Sequence, residues 1–144
     1  MEDTSSSKFE FLASFLLPNG MLDWFDFVSA KEEVAEKKKD SIYKSTLHIY
    51  LDEKDNRSAE TQHLRLNGFT EATIVKDFPV RDRNLMLHIR RRRYLDEDGK
   101  SVILSVYQAT ADGTRYSEEF AAFLKGTDGL ESCYRPIIRA LFHD

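Results

Sequence analysis

The sequence predicts an α+β fold: an antiparallel sheet of about five strands, with short helices at the N-terminus and the C-terminus. Three observations carry this. Residues Thr46-Leu47-His48-Ile49-Tyr50-Leu51 alternate with the period of a half-buried strand. A second alternating run, Leu85-Met86-Leu87-His88-Ile89, enters four consecutive arginines and Tyr94. It is followed by Asp96-Glu97-Asp98-Gly99 and a β-rich run over 102–107, which is the pattern of a β-hairpin around an Asp-Gly turn. Residues Ser117-Glu118-Glu119-Phe120-Ala121-Ala122-Phe123-Leu124-Lys125-Gly126 read as a complete short helix. There Ser117 caps, two glutamates favour the positive end, and Gly126 suits a left-handed C′ position.

In chain order, residues 1–7 are expected as a disordered tail and residues 8–144 as one domain. Phe9, Leu12, Phe15 and Leu16 follow helical spacing, and Pro18-Asn19-Gly20 stops that helix. Trp24, Phe25, Phe27 and Val28 favour a strand, with one helical turn around Met21 to Phe25 left open. The charged run 32–40, including Lys37-Lys38-Lys39, reads as a solvated hairpin end. In the strand at 46–51, Leu47, Ile49 and Leu51 share one face, with His48 and Tyr50 on the other. Residues 52–67 read as a long, poorly ordered connection. Phe69, Ala72, Ile74 and Val75 give a short strand, and Asp77-Phe78-Pro79 an extended segment before the hairpin. Phe120, Phe123 and Leu124 form one buried stripe of the helix after 117, and a last helix is expected over 134–142.

The bulk composition bounds the function. A chain of 144 residues with ten Phe, six Tyr and 32% charged residues is long enough to bury a core and polar enough to stay in solution. No segment is long and apolar enough for a membrane span, no secretory signal opens the chain, and a single cysteine fits the reducing cytoplasm. The net charge of −4 argues against indiscriminate coating of nucleic acid. Catalytic motifs are missing, and the scattered histidines (His48, His63, His88, His143) with Cys133 show no metal-ligand spacing. The expectation is a protein that is not an enzyme and needs no cofactor or metal.

Against that acidity stands one local reversal of sign. From Lys76 to Arg93 there are seven basic residues and two acids. Arg91 and Arg93 continue the face of Leu87 and Ile89, while Arg90 and Arg92 share the face of His88 and Tyr94. Two readings stay open. Carboxylates on neighbouring strands pair with the arginines, or the arginines form an anion patch whose planar forks fit phosphate oxygens and guanine edges. The register of the hairpin, and so which pair faces solvent, is also open between a two-residue and a three-residue turn.

Several phrases carry a family resemblance: FLLPNGMLDWF at 15–25, LHIYLDEK at 47–54, Gly68-Phe69, DFPVR at 77–81, LHIRRRRY at 87–94 and GTRYSEEFAAFLK at 113–125. In that order and spacing, over about residues 11–126, the chain resembles the N-terminal region of insertion-sequence transposases of the ISAon group. The resemblance implies a non-catalytic, DNA-binding region of a bacterial transposase system, encoded separately from the chain with the nuclease chemistry. More distantly, it is similar to transposases whose N-terminal region holds a zinc ribbon followed by helix-turn-helix elements. Residues 95–99 and 52–57 stand where those relatives have cysteine pairs, and they contain no cysteine, so packing must replace the metal. The expected contacts to element ends are Arg90, Arg91, Arg92 and Arg93, with Arg81, Arg83 and Arg115 as flanking phosphate contacts. The alternative is an interaction module that docks the catalytic transposase chain without touching DNA. A homodimer is compatible with either.

Overall fold

The computed structural model describes residues 4–34, 43–104, 107–110 and 114–126. In chain order the elements are helices α1 (Thr4–Leu16) and α2 (Met21–Trp24), strands β1 (Phe25–Glu33) and β2 (Ser45–Glu53), and a 3₁₀ turn (Ala59–Thr61). Strands β3 (Arg65–Phe69), β4 (Thr73–Val80), β5 (Arg83–Arg90), β6 (Arg92–Leu95) and β7 (Ser101–Val102) follow, and then helix α3 (Glu118–Gly126). The class is α+β as expected, but the sheet is not one antiparallel meander. Among the described residues, β1-β2-β5-β4 form one sheet and β3-β6-β7 a second. In the first, β2 and β5 run parallel, with Ile49 opposite Leu87 and Leu51 opposite Ile89. The chain between them carries β3 and β4, which supplies the long crossover that parallel neighbours require.

The alternation of β2 does what it predicts. Ile49 and Leu51 are buried with Leu85, Leu87 and Ile89 of β5 and Val75 of β4, while His48 and Tyr50 lie on the opposite face. Leu17, Met21, Phe25 and Ala109 complete this core, each large apolar side chain in it contributing roughly 1.5–3 kcal/mol. Both expectations for 21–28 are realised in sequence: the helical turn α2 leads directly into β1, which bulges between Phe27 and Ser29.

Elsewhere the structure differs. Helix α1 begins at Thr4, so residues 4–7 belong to it rather than to a loose tail. Its predicted apolar stripe does not face the core. The side chains buried there are Ala13 and, just past the helix, Leu17; of the predicted stripe, Leu12, Phe15 and Leu16 are exposed, and Phe9, 50% exposed, is set edge-on to Phe27 at 5.0 Å. Residues 52–67 are well bonded. Arg57 clamps Asp55 at 2.7 Å and the Leu64 carbonyl at 2.7 Å, and the main-chain N–H of Ser58 donates to Thr61 Oγ1 at 2.7 Å. Arg57 holds the Asp55 carboxyl down at about 2.

The arginine run is divided between the sheets rather than lying in one hairpin strand. Strand β5 ends at Arg90, and β6 begins at Arg92 in the second sheet. Between them the Arg91 carbonyl accepts a hydrogen bond from Thr70 N at 2.8 Å, and the Arg91 N–H donates to Thr70 Oγ1 at 3.0 Å. The hairpin proper is β6–β7, with Tyr94 opposite Val102. Its turn has three residues: Asp96 and Lys100 close it, Gly99 N bonds Asp96 O at 3.1 Å, and Gly99 sits at φ 78°. That left-handed backbone is why a glycine stands there.

At α3, Ser117 Oγ accepts from Phe120 N at 3.2 Å as predicted, and donates to the buried Asp77 at 2.7 Å. Burial pushes the Asp77 carboxyl up, against the hydrogen bond from Ser117. Phe120 and Leu124 are buried, but Phe123 remains 45% exposed. Gly126 closes the helix without adopting a left-handed conformation. The expected helix over 134–142, the lysine run and part of the run 102–107 lie outside the described residues.

Candidate functional site

Three of the four arginines, Arg90, Arg91 and Arg92, converge on the seam between the two sheets, where the residues at the end of β2 meet them. Because β2 and β5 are parallel and in register, Asp52 lies opposite Arg90. Arg90 grips it through two parallel bonds of 2.6 Å each, in planar fork-to-carboxylate geometry. Hydrogen bonding to Asp52 raises the pKa of Arg90.

Glu53 points to the other face and is fully buried. Its Oε2 accepts from Arg91 Nη1 at 2.9 Å and its Oε1 from the Arg92 main-chain N–H at 2.9 Å. Arg91 also donates through Nη2 to the Tyr107 carbonyl at 2.9 Å, and its guanidinium stands 5.3 Å from the centre of the Phe25 ring. Arg92 Nε donates to the Glu53 carbonyl at 3.1 Å. The guanidiniums of Arg90 and Arg92 both lie 4.6 Å from the centre of the Phe69 ring, whose negative face attracts them.

Arg91 continues inward from Leu87 and Ile89 as expected, and Arg90 and Arg92 share the Phe69 ring, but Arg93 lies in the second sheet and does not continue the Leu87–Ile89 face. Carboxylates answer two of the four guanidiniums, Asp52 that of Arg90 and Glu53 that of Arg91, whereas the Arg92 side chain meets the Glu53 carbonyl. Arg93 differs, since its Nε reaches Ser101 Oγ at 3.2 Å across the hairpin and it makes no ion pair among the described residues.

The flanking arginines are scattered. Arg83 bonds Glu32 at 2.6 Å and Asp82 at 3.2 Å. Hydrogen bonds from Ser45 and then Arg83 keep the Glu32 carboxyl below its ordinary range. Arg81 occupies the exposed turn between β4 and β5 at φ 57°, and Arg115 lies beside β4; neither forms an ion pair among the described residues.

The loop after β2 is also bonded to the seam. Tyr94, fully buried, donates its hydroxyl to Asn56 Oδ1 at 2.6 Å and accepts from Asn56 N at 3.1 Å. Asn56 Nδ2 donates onward to the Leu104 carbonyl at 2.9 Å. Side-chain and main-chain hydrogen bonds tie the loop after β2 to the hairpin.

On the opposite face of the first sheet His48 Nδ1 and His88 Nε2 are 2.7 Å apart, and Tyr50 stacks on His88 at 4.4 Å. Burial, then the neighbouring His48, pulls the His88 pKa down. Sequence reasoning placed these two histidines on separate strands and did not bring them together, because only the parallel register does so. Among the described residues no group of three or more His, Cys, Asp or Glu is arranged to hold a metal ion, and no helix is long and apolar enough to cross a membrane.

Comparison with known proteins adds no relative: no protein-family model matches the chain, and neither do curated proteins or solved structures.

Proposed function

We propose that this chain is a non-catalytic domain of a bacterial transposase system, acting in the cytoplasm as an interaction module that docks a separately encoded catalytic chain. The transposase setting rests on the sequence resemblance. The choice of docking over DNA reading rests on one observation: Arg90 and Arg91 are already engaged by the carboxylates of Asp52 and Glu53, and the Arg92 side chain by the Glu53 carbonyl. To contact phosphate, Arg90 would have to leave a two-bond carboxylate partner and Arg91 a fully buried one. Docking also has a surface to use. Phe11, Leu12 and Phe15 of α1 are 65%, 65% and 72% exposed, and Phe11 and Phe15 pack edge to face at 5.1 Å. An apolar cluster of this kind is the usual core of a protein interface.

Co-expression with a tagged catalytic chain from the same element tests this. The wild-type domain co-purifies with it, whereas Phe11→Ser/Phe15→Ser stays folded and does not. Retention of that variant at the wild-type level refutes the reading.

A second reading, contact with the element ends, is favoured by Arg81, Arg93 and Arg115, which have no carboxylate partner among the described residues. Its test is titration of an element-end duplex against a scrambled duplex across a salt series. Preference for the ends that weakens with salt, and falls in Arg81→Ala/Arg93→Ala/Arg115→Ala, supports DNA contact.

A further inference from the structure

The outer face of the first sheet carries a cavity that the docking reading does not use. Its volume is about 540 Å³, within the range of small-ligand sites, and it is lined by Ile74, Lys76, Met86, Thr114, Arg115 and Tyr116. Ile74 and Lys76 project from β4 on the same side as Met86 of β5, which lies directly opposite Lys76. The third wall is the segment before α3, stapled to β4 by main-chain bonds. Lys76 N donates to the Arg115 carbonyl at 2.7 Å, and Ser117 N donates to the Lys76 carbonyl at 2.9 Å. These bonds give Tyr116 and Lys76 parallel-strand pairing. Thr114 Oγ1 accepts from Tyr116 N at 3.3 Å, and the Tyr116 ring packs edge to face on the buried Phe120 at 5.4 Å. The aromatic wall is thus fixed from behind.

The lining has a definite chemical sense. Ile74, Met86 and Tyr116 offer an apolar surface with an aromatic ring and a polarisable sulfur, a combination that favours a flat unsaturated body. Among the described residues that line it, both charged side chains are cationic. Arg115 is exposed and makes no ion pair among the described residues, so its planar fork is available to an oxyanion.

We propose that this cavity is a binding site for a small aromatic anion, with a carboxylate or phosphate head on Arg115 and its ring between Met86 and Tyr116.

The test uses the full chain labelled with ¹⁵N, titrated in turn with phenyl phosphate, benzoate, inorganic phosphate and benzyl alcohol while amide shifts are followed. Phenyl phosphate and benzoate are expected to move the amides of Ile74, Lys76, Met86, Arg115 and Tyr116 along saturable curves. Inorganic phosphate and benzyl alcohol, each carrying half of the ligand, are expected to bind roughly tenfold more weakly. Arg115→Gln, at an exposed side chain, keeps a dispersed spectrum and loses roughly tenfold in affinity for both aromatic anions while leaving benzyl alcohol unchanged. Met86→Ser weakens all three aromatic compounds. The proposal is overturned if inorganic phosphate matches phenyl phosphate, if Arg115→Gln leaves the aromatic anions unaffected, or if the shifts fall elsewhere. A preference for phenyl phosphate over benzoate assigns the head group to phosphate, and the reverse to carboxylate; both outcomes support the site.

Discussion

Replacing Glu53 by alanine perturbs the seam at its most buried charge. Wild-type Glu53 is 0% exposed and answers Arg91 Nη1 and the Arg92 main-chain N–H, each at 2.9 Å. Without it Arg91, 24% exposed, keeps only the Tyr107 carbonyl and the Phe25 ring, and the Arg92 N–H loses its acceptor. Breaking a buried pair from one side costs about 3–5 kcal/mol, because the surviving charge remains desolvated. Domains of this kind have about 5–15 kcal/mol in total, so Glu53→Ala should remove roughly a fifth or more of the stability. Urea unfolding followed by the fluorescence of Trp24, which packs against the core, reads this directly. With a slope of about 2 kcal/mol per molar urea, the midpoint falls by roughly 2 M. Removing both charges in Glu53→Met/Arg91→Met should cost less than the two single changes added together, by roughly 1–3 kcal/mol. A Glu53→Ala protein within about 1 kcal/mol of wild type, or strict additivity in the cycle, would refute the claim that these arginines are held inside the domain.

Other changes test the same seam. Tyr94→Phe keeps the buried ring but strips the hydroxyl from Asn56, and should lower stability by about 1–3 kcal/mol in the same urea assay. Asp55 has a folded pKa of about 2 against 3.8 for a free side chain, so its stabilising effect is full above pH 3.8 and lost as pH falls through about 2. The stability difference between wild type and Asp55→Asn should therefore narrow across that window, and a difference independent of pH would contradict the Arg57 clamp. Gly99→Ala meets nothing within 4 Å but forces alanine to φ 78°, so a loss of about 1 kcal/mol should appear without any change in packing. An unchanged midpoint would mean that the turn has another geometry.

Local features are legible in the sequence and pairing is not. Strand β2 can be read because one of its faces is buried and the other is not, which writes a period of two into Leu47, Ile49 and Leu51. The α3 cap can be read because Ser117 bonds a backbone N–H three residues ahead. The direction of β5 against β2 leaves no such trace, since alternation looks the same whichever way a neighbour runs. That is why Asp52 and Glu53 read as turn polarity rather than as partners of Arg90 and Arg91. One signal is present: two strands that end in acid-acid and arginine-arginine pairs match charge for charge only in parallel register. The face of α1 is misread because side-chain size favours the stripe of Phe9, Leu12, Phe15 and Leu16. The buried positions are instead the small Ala13 and, just past the helix, Leu17.

The most direct test of the docking account is sedimentation of this domain with the purified catalytic chain in the absence of DNA, at low and high salt. The account predicts a complex whose affinity barely changes with salt, as burial of Phe11, Leu12 and Phe15 requires, and which Phe11→Ser/Phe15→Ser abolishes. A complex that forms only when element-end DNA is present, and dissolves as salt rises, would contradict it.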